Sequence, residues 1–140
     1  MTFSTHLAHV IHAALLGTAA LLASAPAGAD TMDGKTLFAK NCAACHQANG
    51  KGIPGAFPAL AGNAFVQGAP VDVATVLLKG RGGMPDFSGS LNDGDIAQVL
   101  TYVRSNWGNN APAITEQEVG AQRTALGVGP ATSSRFGNKH

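Results

Sequence analysis

The sequence predicts a single all-α domain, and three observations lead to that prediction. Apolar residues recur at helical spacing in several segments, of which residues 92–106 form the longest. No segment shows the strict alternation of apolar and polar residues that is typical of a half-buried strand. The 140 residues include 18 Gly and 7 Pro, which indicate many turns between short helices.

The composition excludes several classes of protein. A formal net charge of +1 provides no cationic surface for a phosphate backbone, so nucleic acid is not an expected partner. A chain with 45% hydrophobic residues is not intrinsically disordered, and no apolar run is long enough to predict a membrane-spanning helix. The 2 cysteines exclude a scaffold held by several disulfides.

Residues 1–29 are typical of a secretory signal peptide. An apolar stretch over 10–25 is followed by small residues at 27–29, a pattern that predicts cleavage after Ala29. The leading residues carry no Lys or Arg, which departs from the usual pattern, and an uncleaved anchor or a buried helix is the alternative. Cleavage would release the mature chain into the periplasm, and membrane association is expected only if the leader stays attached.

Four helices are expected in the rest of the chain. Each has a residue suited to its start: Asp33 in 33–44, Pro70 in 70–79, Asn92 in 92–106 and Thr115 before 116–126. Thr115 and Glu118 also have the spacing of a capping box. Residues 30–108 are expected to form the main domain, 109–126 an extension with a short helix, and 127–140 a flexible tail.

The strongest chemical motif is Cys42-Ala43-Ala44-Cys45-His46, at the start of a long Gly- and Pro-rich loop over 47–70. The pattern C-x-x-C-H is typical of c-type haem attachment. Two thiols at this spacing can add to the two vinyl groups on one porphyrin edge, and His46 can then supply an axial nitrogen to the iron. The sequence therefore predicts one haem c, bound covalently by Cys42 and Cys45.

Three other interpretations of the two cysteines remain. A thioredoxin-like redox pair needs a βαβ context, whereas the neighbouring segments here are helical. A zinc site needs four ligands, and no second Cys pair or His pair completes the set. A chance occurrence of the pattern, or a structural disulfide, is the third alternative.

Met84 is the expected sixth ligand of the iron. It follows Gly82 and Gly83 and precedes Pro85, which favours a ligand loop over the alternative of a methionine that fills the core. A thioether favours ferrous iron and raises the reduction potential. Because His46 and Met84 would occupy both axial positions, the sequence predicts an electron carrier rather than an enzyme, with no small-molecule substrate.

Residues 33–106 resemble class I cytochromes c. The resemblance rests on the haem-attachment motif, Pro58-Ala59-Leu60, Gly83-Met84-Pro85 and a closing amphipathic helix. It implies the cytochrome c fold, several short helices around one haem, with the Pro58 carbonyl accepting a hydrogen bond from His46 and Leu60 beside the cofactor. It also implies a crossing of the first and last helices through Gly34, Phe38, Val99 and Tyr102.

More narrowly, residues 52–63 and 103–108 resemble cytochrome subunits of bacterial quinoprotein and molybdenum dehydrogenases. This resemblance implies a carrier between a periplasmic dehydrogenase and a respiratory oxidase or reductase. A small apolar docking patch is expected near the haem edge, at Ala43, Ala44, Pro54, Gly83 and Pro85. The alternative function is a haem-based gas sensor with a labile Met84 ligand; a small peroxidase lacks an evident acid or base.

Overall fold

The computed structural model describes residues 32–131, and their regular secondary structure is helical. The helices are α1 (Gly34–Asn41), α2 (Ala43–His46), α3 (Pro70–Lys79), α4 (Asp93–Ser105) and α5 (Glu116–Ala125). Within this part of the chain the only β pairings are the isolated bridges Ile53–Phe57 and Arg81–Met84. The predicted all-α class is therefore confirmed. The expected signal peptide and most of the expected tail lie outside the described residues.

The helix starts follow the capping residues that the sequence predicts. The Asp33 carboxylate accepts a hydrogen bond from the backbone N–H of Thr36 at 3.0 Å, and Pro70 occupies the first turn of α3. The Asn92 side chain accepts from the backbone N–H of Asp95 at 2.8 Å. Thr115 and Glu118 form the predicted capping box. These local features mark the starts of α1, α3, α4 and α5.

The prediction of one continuous helix over 33–44 is wrong, because the chain breaks at Cys42. Its backbone angles, φ −124° and ψ −34°, separate α1 from α2. The amide of Asn41 donates to the Leu37 carbonyl at 2.9 Å, and such side-chain bonds compete with the helical ladder. Gln47, at φ +64°, then ends α2 directly after His46. The haem-attachment motif thus has a short helix of its own.

Helices α1 and α4 cross at very close range. A Cβ atom at Gly34 would collide with the carbonyl oxygen of Gln98 and would lie 2.8 Å from Cβ of Tyr102, so only glycine fits there. One turn further on, the ring centroids of Phe38 and Tyr102 are 5.7 Å apart. Val99 is 1% exposed in the same core. The crossing supports the N-terminal side of the haem-attachment motif.

The core extends beyond this crossing into the C-terminal part of the chain. Buried side chains from α1, α3 and α4 form one cluster, which also includes Ile114 and Val119. Helix α5 packs against both α3 and α4. The segment after α4 is thus a packed part of the described fold.

None of the helices in 32–131 combines the length and the hydropathy needed to cross a bilayer.

Candidate haem site

The two cysteines lie on either side of the α2 start and differ in exposure. Cys42 is half-buried, Cys45 is exposed, and both are free thiols. Burial raises the pKa of the Cys42 thiol to about 11, with a smaller contribution from the neighbouring Cys45, because the thiolate loses its hydration. The backbone N–H of His46 donates to the Cys42 carbonyl at 2.9 Å, so the motif is closed as one helical turn.

His46 is held in an orientation suited to a metal ligand. It is 6% exposed, and its Nδ1 lies 3.0 Å from the carbonyl oxygen of Pro58. Because a carbonyl can only accept, Nδ1 must carry the proton, and Nε2 keeps a free lone pair. Within residues 32–131, Nε2 has no hydrogen-bond partner. A fixed tautomer with one open nitrogen is the arrangement that metal-binding histidines use.

The loop over residues 47–69, here called the proximal loop, is tied to the motif by backbone hydrogen bonds. The N–H of Gly52 donates to the His46 carbonyl at 2.9 Å, and the N–H groups of Leu60 and Ala61 donate to the Gly50 carbonyl at 2.7 and 3.0 Å. Leu60 is half-buried against the core, whereas Pro58 is exposed. These bonds hold the Pro58 carbonyl opposite His46.

Asn109 is a support of this loop that the sequence reasoning missed. It is 5% exposed, and its amide donates to the carbonyls of Leu60 at 2.9 Å and Val103 at 2.8 Å. Its side-chain oxygen accepts from the N–H of Asn63 at 3.1 Å. Because the loop partners are 46 and 49 positions away in the chain, no local pattern could have identified it.

Met84 lies in a tight turn of the segment over residues 80–91, here called the distal loop. Arg81 and Met84 exchange two backbone hydrogen bonds of 3.0 Å, which closes a two-residue hairpin turn over Gly82 and Gly83. Met84 is half-buried and packs against the core. The guanidinium of Arg81 lies 4.9 Å from the ring centroid of Phe65, so the two loops also meet.

The structure brings some of the predicted site residues together and leaves others apart. His46 meets Pro58 directly, and Cys42, Leu60 and Met84 lie along the edge of one core cluster. His46 and Met84 make no hydrogen bond with each other in the described part of the chain. The crossing of α1 and α4 lies beside the haem-attachment motif. It is formed by Gly34, Phe38, Val99 and Tyr102.

The residues present fit a large apolar cofactor. Four large apolar side chains of the proximal loop and the start of α3 are more than a third exposed: Ile53 (41%), Phe57 (38%), Phe65 (41%) and Val71 (48%). Adjoining exposed apolar side chains mark a binding surface, and the Ile53–Phe57 bridge brings two of these four together. Together with two free thiols and an oriented imidazole, they suit a covalently attached porphyrin with an iron ligand at its centre.

Comparison with known proteins supports this interpretation. Residues 29–103 match the family model described as Cytochrome C oxidase, cbb3-type, subunit III. The cytochrome c subunit of alcohol dehydrogenase (quinone) from Gluconobacter oxydans is 36% identical over 91 residues, which cover 56% of this chain and 19% of that protein. Cytochrome c-552 from Thermus thermophilus is 33% identical over 129 positions, which cover 69% of this chain and 98% of that protein.

A third relative is cytochrome c6 from Leptolyngbya boryana, which is 38% identical over 78 residues and is covered over 91% of its length. The chain thus spans about a fifth of the Gluconobacter subunit but nearly all of the two small cytochromes. The family match ends at residue 103, before Asn109 and α5. Because the family model matches residues 29–103 and nearly all of cytochrome c-552 is covered, the chain belongs to this cytochrome c family. It is a monohaem class I member that binds haem c covalently.

Proposed function

We propose that this protein is a single-electron carrier in which His46 Nε2 and the Met84 sulfur ligate the iron of a haem c held by Cys42 and Cys45. When bound, the haem supplies an iron that cycles between Fe(II) and Fe(III). The observation that carries the proposal is the Nδ1 hydrogen bond of His46 to Pro58 at 3.0 Å, which leaves Nε2 as the ligating nitrogen.

The chain's residues favour electron transfer over catalysis. His46 is buried and fixed, and the hairpin turn presents Met84 from a separate loop, so two protein ligands would fill both axial positions. No position would then remain for oxygen or a substrate. A thioether ligand stabilises the ferrous state and raises the reduction potential, which suits a respiratory carrier.

The proposed partners are a periplasmic dehydrogenase as donor and a respiratory oxidase or reductase as acceptor. Relatives named as cytochrome c subunits of alcohol dehydrogenase (quinone) and gluconate 2-dehydrogenase support this class of donor. The proposed docking patch contains Ala44, Pro54, Gly83 and Pro85, which are exposed, and Ala43, which is half-buried. With a net charge of +1, salt should slow electron transfer only weakly.

The proposed location is the periplasm, after removal of residues 1–29. The support is the apolar leader with small residues before Asp30. Intact-mass measurement of the purified protein tests this directly. A mature chain that begins at Asp30 and carries one haem is the expected result, and a full-length mass would contradict it.

A spectroelectrochemical titration tests the ligand assignment. Replacing Met84 with Ala should lower the midpoint potential and allow carbon monoxide to bind the reduced protein, because the sixth position opens. Met32→Ala is the matched control, since Met32 precedes α1, is 39% exposed, and its sulfur accepts from Lys40 of α1 at 3.6 Å. An unchanged ferric spectrum in Met84→Ala would refute the assignment. Carbon monoxide binding by the native protein at neutral pH would instead favour the gas sensor.

A further inference from the structure

The end of the distal loop is held by a buried guanidinium from α5. Arg123 is 6% exposed, and it donates to the Ser88 carbonyl at 2.8 Å and to the Leu91 carbonyl at 3.1 Å. Its Nε forms an ion pair with Asp93 at 2.6 Å, and Nη1 also donates to the Gly129 carbonyl at 2.8 Å. One side chain thus joins the loop, the first turn of α4 and the end of α5.

The segment that Arg123 holds is continuous with the Met84 turn. Ser88 follows Met84 by four positions, and the intervening Phe87 donates its N–H to the Leu77 carbonyl at 2.7 Å. Leu91 in turn donates to the Phe87 carbonyl at 2.9 Å, which closes the segment as a turn. The distal loop therefore has two anchors, one on α3 and one on Arg123.

The chemistry of the Arg123 anchor makes it strong. A guanidinium has five N–H donors in a rigid fork, so it can bind several carbonyls and a carboxylate at once. Hydrogen bonds to a charged donor are stronger than neutral ones, and burial reduces competition from water. If the guanidinium is removed, the Ser88 and Leu91 carbonyls lose their charged donor, and the loop end keeps only its backbone bonds and the packing of Phe87 and Leu91 on the core.

We infer that Arg123 is a positioning residue for the Met84 loop and keeps the sulfur at its ligating position. This inference rests on the proposed ligation by Met84. It assigns a role in the haem site to α5, which lies beyond the family match over 29–103. The role is indirect, because Arg123 acts on the backbone after Met84, and its hydrogen bonds within the described residues go to Ser88, Leu91, Asp93 and Gly129 rather than to either proposed ligand.

Imidazole binding to the oxidised holoprotein measures how often the Met84 loop opens. Imidazole can reach the iron only when Met84 has left, so its apparent affinity is the intrinsic affinity multiplied by the open fraction. Arg123→Ala should raise that affinity by about tenfold, as expected for losing charge-assisted bonds to the loop. Arg123→Lys keeps the charge but not the forked donor geometry, so its imidazole affinity should lie between those of the native protein and Arg123→Ala.

Gln122→Ala is the matched control for a general loosening of α5. The Gln122 amide donates to the Thr75 hydroxyl of α3 at 2.8 Å and does not touch the distal loop. Its imidazole affinity should stay within about twofold of the native protein. A rise equal to that of Arg123→Ala would show that any weakening of α5 opens the loop, and it would overturn a specific role for Arg123.

The Met84→Ala background separates the two proposals. If Met84 is the ligand, Met84→Ala alone raises imidazole affinity, and adding Arg123→Ala changes it no further. No rise in Met84→Ala would refute the ligation itself. Two outcomes would refute the positioning role alone. In the first, imidazole affinity rises in Met84→Ala but not in Arg123→Ala. In the second, Arg123→Ala raises imidazole affinity equally in the native and the Met84→Ala backgrounds.

A milder variant keeps the test valid if Arg123→Ala yields no holoprotein. Asp93→Asn keeps the guanidinium and its carbonyl bonds but removes the charge partner, whose side chain is 27% exposed. It should raise imidazole affinity by less than Arg123→Ala, on the order of two- to threefold. Native-like affinity in both Asp93→Asn and Arg123→Lys would overturn the inference.

Discussion

The two loops that carry the proposed iron ligands are held by different chemistry. The proximal loop is tied by backbone bonds to the haem-attachment motif and by the neutral amide of Asn109. The distal loop is tied by a hairpin turn at Met84 and by the charged guanidinium of Arg123. Both anchors come from the segment after α4, so the C-terminal part of the chain supports both of the loops that carry the proposed ligands.

The difference has a functional meaning. His46 is adjacent to Cys45, so its position is fixed by covalent attachment as well as by Pro58. Met84 is 38 positions further along the chain, and its position depends on the loop and on its packing against the core, with no covalent attachment next to it. Ligand loss should therefore occur on the distal side. Under the proposed ligation by Met84, the reduction potential should then depend on the stability of the distal loop.

Of the changes considered, removal of the haem should have the largest effect on the two loops. We expect the Cys42→Ala, Cys45→Ala chain to lose most of its helical structure, because the exposed apolar side chains of the proximal loop, which the haem would cover, stay in water. Circular dichroism and hydrogen exchange measure the loss. A haem-free chain that unfolds cooperatively and protects its proximal-loop amides would show that this loop orders itself without the cofactor.

Asn109→Ala should weaken the proximal loop without opening the distal one. The substitution removes the partners of the Leu60 carbonyl and the Asn63 N–H, and we expect the free energy of unfolding to fall by about 2–4 kcal/mol. Denaturant unfolding measures this, with Asn110→Ala as the control because Asn110 is exposed and uses only its backbone N–H, towards Gln67. A rise in imidazole affinity as large as in Arg123→Ala would erase the distinction between the loops.

Much of the fold could be predicted because its determinants are local. The caps at Asp33, Asn92 and Thr115 act within three residues, so a short window of sequence contains the whole interaction. The break at Cys42 was missed because it depends on backbone geometry that helix periodicity does not report.

The supports of the site could not be predicted, because their partners are distant in the chain. In sequence, Arg104 is a cation in the last turn of α4, where solvent exposure is the ordinary expectation. In the fold it is 1% exposed and donates to the carbonyls of Val66 and Gly68, 38 and 36 positions away. Arg123 and Asn109 are hidden from local patterns for the same reason.

Gly80→Ala should open the distal loop from its α3 side. Gly80 has φ +72° and ψ 172°, a region that is almost restricted to glycine, and an added Cβ would lie 2.7 Å from the Met84 carbonyl oxygen. We expect a loss of about 2 kcal/mol in unfolding free energy and a higher imidazole affinity.

Gly82→Ala provides the control for this substitution. Gly82 also has a positive φ, +58°, but nothing lies within 4 Å of an added Cβ, so only the backbone strain remains. Its cost should be about 1 kcal/mol. Equal imidazole affinity in the two variants would mean that contact with the Met84 carbonyl does not control ligation.

The smallest expected effect is the loss of stability at acid pH when the capping box of α5 is protonated. Hydrogen bonds from Thr115 hold the pKa of Glu118 below its ordinary value of 4.5. Since the folded pKa is the lower one, the bonded carboxylate stabilises the fold above pH 4.5, and that contribution is lost as the pH falls through the folded pKa. Glu118→Gln should therefore flatten the acid side of the stability profile slightly, as measured by denaturant unfolding at several pH values. Glu116→Gln, in the same helical turn but outside the capping box, is the control. An equal acid dependence of stability in the native protein and in Glu118→Gln would show that this carboxylate does not stabilise the fold through its lowered pKa.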